Sequence, residues 1–310
     1  MTKSCLIIDK MHNSIVPLLE GIGYKVDYCP QITRSEIIER ITPYTGIIIR
    51  SKTNIDREIL EHATNLRFVA RAGAGLDMLE MDSIKARDIK IINAPEGNRD
   101  ALAEHALGML LNLLNNINKA ADEVRRMKWD REGNRGSEIM GKSIGILGYG
   151  FMGRAFALRL SGFACKILAY DKYITPNDPH VEAVSMDRIF QDSDVFSIHL
   201  PLTDETYHLI DESFLDSFQK EIVLLNTSRG GILKQEALIK GLKTGKIKGA
   251  ALDVLENEKL NNLSEAQKEN FEFLSSHQGV LLTPHIAGWT VESYEKINQV
   301  LVDKIKGLKF

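Results

Sequence analysis

Residues 143–160 read "SIGILGYGFMGRAFALRL", and their reading decides the fold. An apolar, strand-like run passes directly into Gly148-x-Gly150-x-x-Gly153 and then into a stretch with helical spacing. Each glycine has a task at such a junction: a tight turn, close approach of the backbone to a pyrophosphate, and close packing of helix on strand. The helix N-terminus adds N–H donors and positive potential for the phosphates. Phe151 and Met152 present their backbone in that first turn. The next apolar run, "CKILAY" (165–170), ends at Asp171, a little over twenty residues past Gly148. A carboxylate there accepts hydrogen bonds from the adenosine ribose hydroxyls and repels a 2′-phosphate, which points to NAD rather than NADP.

Upstream of this unit the pattern is similar. "CLIID" (5–9), "KVDY" (25–28), "GIIIR" (46–50), "RFVAR" (67–71) and "IKIIN" (89–93) are short and rich in β-branched residues. Helical patterns lie between them, such as 33–41, where Thr33 and Glu36 fit a capping box. Parallel strands buried on both faces read as continuous apolar runs, so residues 1 to about 97 form one doubly wound α/β unit. A helix is expected from Asn98 to about Lys119, with Leu107, Leu110, Leu111, Leu114 and Ile117 on one face. The domain change is placed at this helix. The polar, basic stretch "EVRRMKWDREGNRGSE" (123–138) leads from it to the second strand-helix series.

Composition bounds the function. A chain of 310 residues, 44% hydrophobic, has room for about two domains with real cores. Its 39 Lys and Arg against 42 Asp and Glu, a net charge of -3, give no basic field for nucleic acid, so a small-molecule partner is expected. Three scattered cysteines fit reduced thiols in a cytoplasmic protein, without a disulfide framework. No His or Cys pair has metal-ligand spacing. Neither a signal peptide nor an apolar run near the ~18 residues of a membrane span is found, so no membrane partner is expected.

Three further apolar runs end in polar residues. "IVLLNTSRGG" (222–231) delivers Arg229, "IKGAALDVLENE" (247–258) delivers Asp253 and Glu258, and "GVLLTPH" (279–285) delivers His285. In an open α/β sheet the carboxyl ends of the strands line the ligand crevice. An arginine there can hold a carboxylate or polarise a carbonyl, and a histidine can pass a proton. A carboxylate on the other ring nitrogen would fix the tautomer and favour the protonated ring. Singly, each residue also has an ordinary reading: Arg229 as a loop charge, Glu258 as a helix-start acid, His285 as a core group.

As an ordered set, "RAGAGLD" (71–77), "NAPEGN" (93–98), "GYGFMGR" (148–154), "LNTSRGG" (225–231), "AALDVLENE" (250–258) and "TPHIAG" (283–288) resemble the D-isomer-specific 2-hydroxyacid dehydrogenases over nearly the whole chain. The resemblance implies that Arg229, Glu258 and His285 are catalytic, that Asp253 meets the nicotinamide carboxamide, and that Ala74, Leu200, Thr227, Arg229 and Gly288 touch NAD. It implies a flavodoxin-like substrate domain, 1–97 plus 290–310, into which a Rossmann NAD-binding domain, 98–289, is inserted. It further implies a homodimer built through the long helix and the arm after it.

Within the family the chain is most similar to the phosphoglycerate dehydrogenase branch, whose reaction belongs to serine biosynthesis. By that likeness Arg50, Arg71 and Arg131 face a substrate phosphate, with Ser51 beside them, and the Ala74 and Gly75 amides hold a carboxylate. The substrate would be a 2-hydroxy or 2-keto acid, D-3-phosphoglycerate first. Hydroxypyruvate or glyoxylate reduction, which needs no phosphate clamp, is the alternative, and an NAD-sensing binding protein is the alternative of another class. Two departures stand out: Lys259 where the family usually has proline, and the polar segment "LNNLSEAQKENFEFLSSHQ" (260–278) before His285. The chain ends soon after its last helix, so serine feedback through an appended regulatory domain is not expected.

Overall fold

Short runs of β-branched residues build two parallel sheets in a computed structural model that describes residues 3–308. The first sheet consists of β1 (Ser4–Ile7), β2 (Lys25–Tyr28), β3 (Gly46–Ile49), β4 (Phe68–Arg71) and β5 (Lys90–Asn93), in the order β2-β1-β3-β4-β5. Every pairing is parallel. The chain reverses direction across this sheet between β1 and β3, the kind of switch point where open α/β sheets form a crevice. All four residues of β3 are buried, as a strand covered on both faces requires. The helix Arg34–Arg40 starts with the expected capping box: the Thr33 hydroxyl accepts from the Glu36 N–H, and Glu36 accepts from the Thr33 N–H at 2.7 Å.

The C-terminal helix Val291–Lys306 returns to this unit. Ile297, Leu301, Val302 and Ile305 are buried in the cluster that holds Ile7, Phe68 and Ile92. Asn298 Nδ2 donates to the His12 carbonyl at 3.1 Å and to Ser14 Oγ at 3.0 Å, and Lys304 Nζ donates to the Asn93 carbonyl at 2.9 Å. The apolar face supplies most of the docking energy and the polar bonds fix its register.

The second sheet has seven strands: β6 (Ser143–Leu147), β7 (Lys166–Tyr170), β8 (Glu182–Ala183), β9 (Val195–Ile198), β10 (Ile222–Asn226), β11 (Ile247–Leu252) and β12 (Val280–Leu282). Their order is β12-β11-β10-β9-β6-β7-β8, all parallel, with the switch between β6 and β9. One face packs Leu147, Phe196, Ile198, Leu224 and Leu252 with Phe218 and Leu274, the other packs Ile144, Ile146, Ile167 and Leu225 with Ala103, Ala106, Met109 and Leu110. The two sheets belong to two compact units: the chain up to Arg99 with the part from Trp289 on, and Asp100–Gly288. The outermost residues of the expected first domain, 1–2 and 309–310, lie outside the described residues.

The long helix differs from expectation. It runs from Pro95 to Leu114 and is followed by a separate helix, Ile117–Arg125. Asn116 between them takes φ 53, a left-handed conformation that asparagine tolerates better than most residues, and it ends the first helix. Ile117, placed by periodicity on the buried face, is therefore exposed. The buried face of the first helix combines two alanines, Ala103 and Ala106, with Met109, Leu110 and Leu114. The 260–278 segment also has its own structure, a short 3-10 turn, Leu260–Asn262, and a helix, Glu265–Ser276.

Candidate active site

Six strand ends of the seven-stranded sheet carry the candidate residues. After β6 the chain turns at Gly148 with φ 93, and a side chain there would run into the His199 carbonyl that follows β9. Gly150 precedes the helix Phe151–Leu160, and the space where its side chain would stand is open. Gly153 lies in the first turn, where a Cβ would collide with the Gly148 carbonyl oxygen. Phe151 and Met152 thus present their backbone at a helix N-terminus with room for a phosphate over Gly150.

Asp171, at the end of β7, is bound more tightly than a surface carboxylate. Its Oδ2 accepts from the Tyr149 N–H at 2.7 Å, and its Oδ1 accepts from the Tyr173 N–H at 2.8 Å and the Ile174 N–H at 3.0 Å. A carboxylate has about four acceptor sites, so a place is left for a ribose hydroxyl. Leu200 is half-buried after β9. Thr227, after β10, is buried, and its hydroxyl has no hydrogen-bond partner among the described residues. A buried hydroxyl without a partner is the kind of group that a bound ligand can satisfy. The open space at Gly150, the anchored acid and this hydroxyl all fit a dinucleotide.

The ends of β10, β11 and β12 are neighbours, joined by backbone bonds. The Asp253 N–H donates to the Asn226 carbonyl at 3.0 Å, the Thr283 N–H to the Leu252 carbonyl at 3.0 Å, and the His285 N–H to the Asp253 carbonyl at 2.8 Å. Asn226 shapes the loop that carries Arg229, accepting from Ser228 Oγ at 2.8 Å and donating to the Arg229 carbonyl at 3.0 Å. Arg229 is half-buried and donates from Nη1 to the Ser228 carbonyl at 2.7 Å.

Asp253 is enclosed, and its carboxylate ties down the His285 turn. Oδ1 accepts from Thr283 Oγ1 at 2.6 Å and from the Ile286 N–H at 2.9 Å, and Oδ2 accepts from the Ala287 N–H at 2.8 Å. His105 Nε2 lies 3.1 Å from Thr283 Oγ1 and 3.7 Å from Asp253 Oδ1. This clamp holds His285 at φ 55, which a β-carbon-bearing residue keeps only when its surroundings enforce it. His285 and Glu258 meet with Nδ1 to Oε2 at 2.9 Å, both about half exposed. The outer ring nitrogen, Nε2, is then the one available to exchange a proton.

Sequence reading missed His105 and Thr283. Thr283 stands two residues before His285, and His105 interrupts an otherwise apolar helix face, so the signals were a hydroxyl and a polar residue where packing asks for neither.

In the first unit, Arg50 and Ser51 follow β3 and Arg71 ends β4. The Arg50 N–H donates to Asp9 Oδ2 at 2.6 Å, at the end of β1, which puts the arginine at the switch point. Its guanidinium stacks 3.4 Å from the ring centre of Trp289, which itself stacks on Tyr294. The Arg71 side chain folds back over Gly73. Ala74 and Gly75 follow in a half-buried loop fixed by Asn93 Nδ2 donating to the Ala74 carbonyl at 2.7 Å. Arg131 is exposed and belongs to the other unit, as does Gly288.

The chain is similar to known proteins. Residues 107–287 match the family described as D-isomer specific 2-hydroxyacid dehydrogenase, NAD binding domain. The chain is 34% identical over 274 residues to a hydroxypyruvate reductase from Thermotoga maritima, covering 88% of each. It is 31% identical over 305 residues to a D-3-phosphoglycerate dehydrogenase from Methanocaldococcus jannaschii, covering 97% of this chain and 56% of that one, so it spans little more than half of that relative's length. A D-lactate dehydrogenase structure from Treponema pallidum superposes with TM-score 0.79 at 26% identity, covering 97% of this chain and 95% of that one. The glycine turn, the acid after β7 and the crevice-edge arginine, glutamate and histidine thus lie in a chain that belongs to the D-isomer-specific 2-hydroxyacid dehydrogenases and uses NAD.

Proposed function

We propose that the chain interconverts D-3-phosphoglycerate and 3-phosphohydroxypyruvate, a step of serine biosynthesis, as a cytoplasmic homodimer. The observation that carries the substrate is the pair of arginines on neighbouring strand ends of the first sheet: Arg50 just after β3, beside the switch point, and Arg71 at the end of β4. Several guanidinium forks suit a phosphate that carries nearly two charges. We read this unit as the substrate domain, with Ser51 and the Ala74 and Gly75 amides completing the anion site, and Arg131 as a third arm of the clamp.

The Gly148–Gly153 turn and Asp171 would hold NAD, which would supply the acceptor for the C2 hydride in oxidation. His285 takes the hydroxyl proton on Nε2, while Glu258 on Nδ1 stabilises the imidazolium that results. Arg229 orients the substrate carboxylate and the forming carbonyl. Asp253 keeps the His285 turn in place and meets the carboxamide side of the crevice. Thr227, Leu200 and Gly288 line the cofactor.

Exposed apolar side chains beyond the first long helix support the dimer: Met127 is 94% and Trp129 80% exposed, and Ile117, Val124 and Met140 are exposed near them in sequence. Where such side chains form a contiguous patch, they mark an interaction surface. Among the described residues, no helix is long and apolar enough to cross a membrane.

Two observations favour a second reading, reduction of hydroxypyruvate without a phosphate. The Arg50 guanidinium is stacked on Trp289, and the Thermotoga relative named for that activity matches over most of both chains. A ratio separates the two. kcat/KM is measured for D-3-phosphoglycerate and D-glycerate, and for their keto acids in reverse, in the parent and in Arg71→Ala. The phosphorylated pair is preferred, and Arg71→Ala lowers that preference about tenfold or more, the size of one lost charged hydrogen bond. No preference in the parent, or equal harm to both substrates, replaces this reading with the second.

A further inference from the structure

Glu258 is exposed in the loop after β11, six residues past the end of that strand. Its neighbours are held in place. Asn257 Nδ2 donates to the Asn262 carbonyl at 3.2 Å and to Gln267 Oε1 at 3.1 Å, while Asn257 Oδ1 accepts from the Lys259 N–H at 3.0 Å. On the other side, Glu256 Oε1 accepts from the Gln235 N–H at 2.9 Å and lies 3.2 Å from His208 Nε2. Glu256 and Asn257 are therefore both anchored, and Glu258 is the residue of the three that reaches the histidine.

Gln267 has two roles. It is the third residue of the helix Glu265–Ser276, and its Oε1 accepts from the Ser264 N–H at 3.1 Å in a capping box as well as from Asn257. The helix is fixed to the body by Leu274, fully buried, by Lys243 Nζ 5.0 Å from the centre of the Phe273 ring, and by Asn270 Nδ2 donating to Glu236 Oε1 at 3.3 Å. The 260–278 segment thus supplies a rigid element, and one oxygen of it reaches the loop that carries Glu258.

We propose that Gln267, acting through Asn257, is a positioning residue that sets Glu258 against His285, so that the segment before the histidine supports the proton relay. The inference rests on the relay read for His285 and Glu258. A carboxylate–imidazole bond weakens steeply with distance and angle, so loosening the loop weakens the support for the imidazolium without removing any group that touches substrate.

The test compares pH profiles of keto-acid reduction by NADH, with 3-phosphohydroxypyruvate as substrate, or hydroxypyruvate if the parent prefers it. Gln267→Met removes the acceptor at similar length. It lowers kcat about threefold to tenfold, as one lost hydrogen bond would, leaves KM for NADH unchanged, and moves the alkaline limb to lower pH, the direction expected of Glu258→Gln. Asn257→Leu, which removes the other partner, does the same. Gln267→Glu keeps an oxygen for both donors and restores the parental profile. In a Glu258→Gln background, Gln267→Met adds nothing further. A parental profile in Gln267→Met and Asn257→Leu, or a loss that persists undiminished in the Glu258→Gln background, overturns the positioning role. If Glu258→Gln itself leaves the profile unmoved, the relay falls, and the positioning role with it.

Discussion

The Asp171 carboxylate accepts a hydrogen bond from the Tyr149 N–H at 2.7 Å, which ties the acid after β7 to the middle of the glycine turn. The glycine turn and this acid are therefore not independent. An acid that only met the ribose could be removed without consequence for folding, but this one also accepts the Tyr173 and Ile174 amides. Asp171→Ala should lose much of the preference for NAD over NADP and also lower unfolding stability by about 1–3 kcal/mol, because backbone donors are left without their acceptor. Asp171→Asn, which keeps one oxygen, should lose less stability. NADH and NADPH fluorescence titrations with urea denaturation measure both effects. Equal use of the two cofactors by the parent would remove Asp171 from its role.

Next to Asp171, Lys172 is paired with Glu205, which also accepts from Tyr173 Oη at 2.6 Å. Glu205 pushes the lysine up, and Lys172 and then Tyr173 hold the Glu205 carboxyl below the usual range, so both stay charged and cancel. A cation near the ribose is what a 2′-phosphate needs. Glu205→Gln should release Lys172 and tighten NADPH binding by about threefold to tenfold with NADH little changed, as expected for an exposed charge near a dianion. The gain should disappear in Glu205→Gln/Lys172→Met. A gain that survives loss of the lysine would point to another cause.

The glycine turn and Asp171 were legible because the spacing of the glycines, and of an acid at the end of the next apolar run, is itself the signal. Strand ends carrying Arg229, Asp253, Glu258 and His285 were legible as apolar runs that stop at polar residues. What Asp253 holds was not, since its carboxylate bonds Thr283, Ile286 and Ala287, thirty or more residues away in sequence. Periodicity carried the long helix past Leu114 because it gives no weight to one asparagine in a left-handed conformation. The "SEAQ" of 264–267 is a capping-box pattern, yet within a segment read only as polar its helix passed unnoticed.

For the relay, His285→Ala should leave NADH binding nearly intact and reduce turnover about 10²–10⁴-fold, the range of a general acid or base. Glu258→Gln should keep more activity but change its pH dependence. An amide no longer favours the protonated ring, so carbonyl reduction, which needs that proton, fails at lower pH than in the parent, while the acid limb of hydroxyl oxidation also moves down. Steady-state rates in both directions across the pH range check this. Normal turnover without His285 would return the residue to a structural role.

Buried His199 should make the fold sensitive to acid. Its Nε2 lies 2.8 Å from Ser197 Oγ, its ring centre is 5.3 Å from that of Phe156, and its Nδ1 has no partner among the described residues. Burial pulls it down to about 3. In the unfolded chain a histidine takes up its proton near pH ~6.5, so between that pH and about 3 the unfolded state binds a proton that the folded state does not. Stability contributed by the neutral ring is present above that window and is lost as pH falls through it, at up to about 1.4 kcal/mol per pH unit. Urea denaturation at several pH values between about 7 and 5 should show a shallower loss for His199→Gln than for the parent, whatever the variant's stability at neutral pH. Equal slopes would mean that His199 gains its proton in the folded state, and that the pocket beside Phe156 opens to admit it.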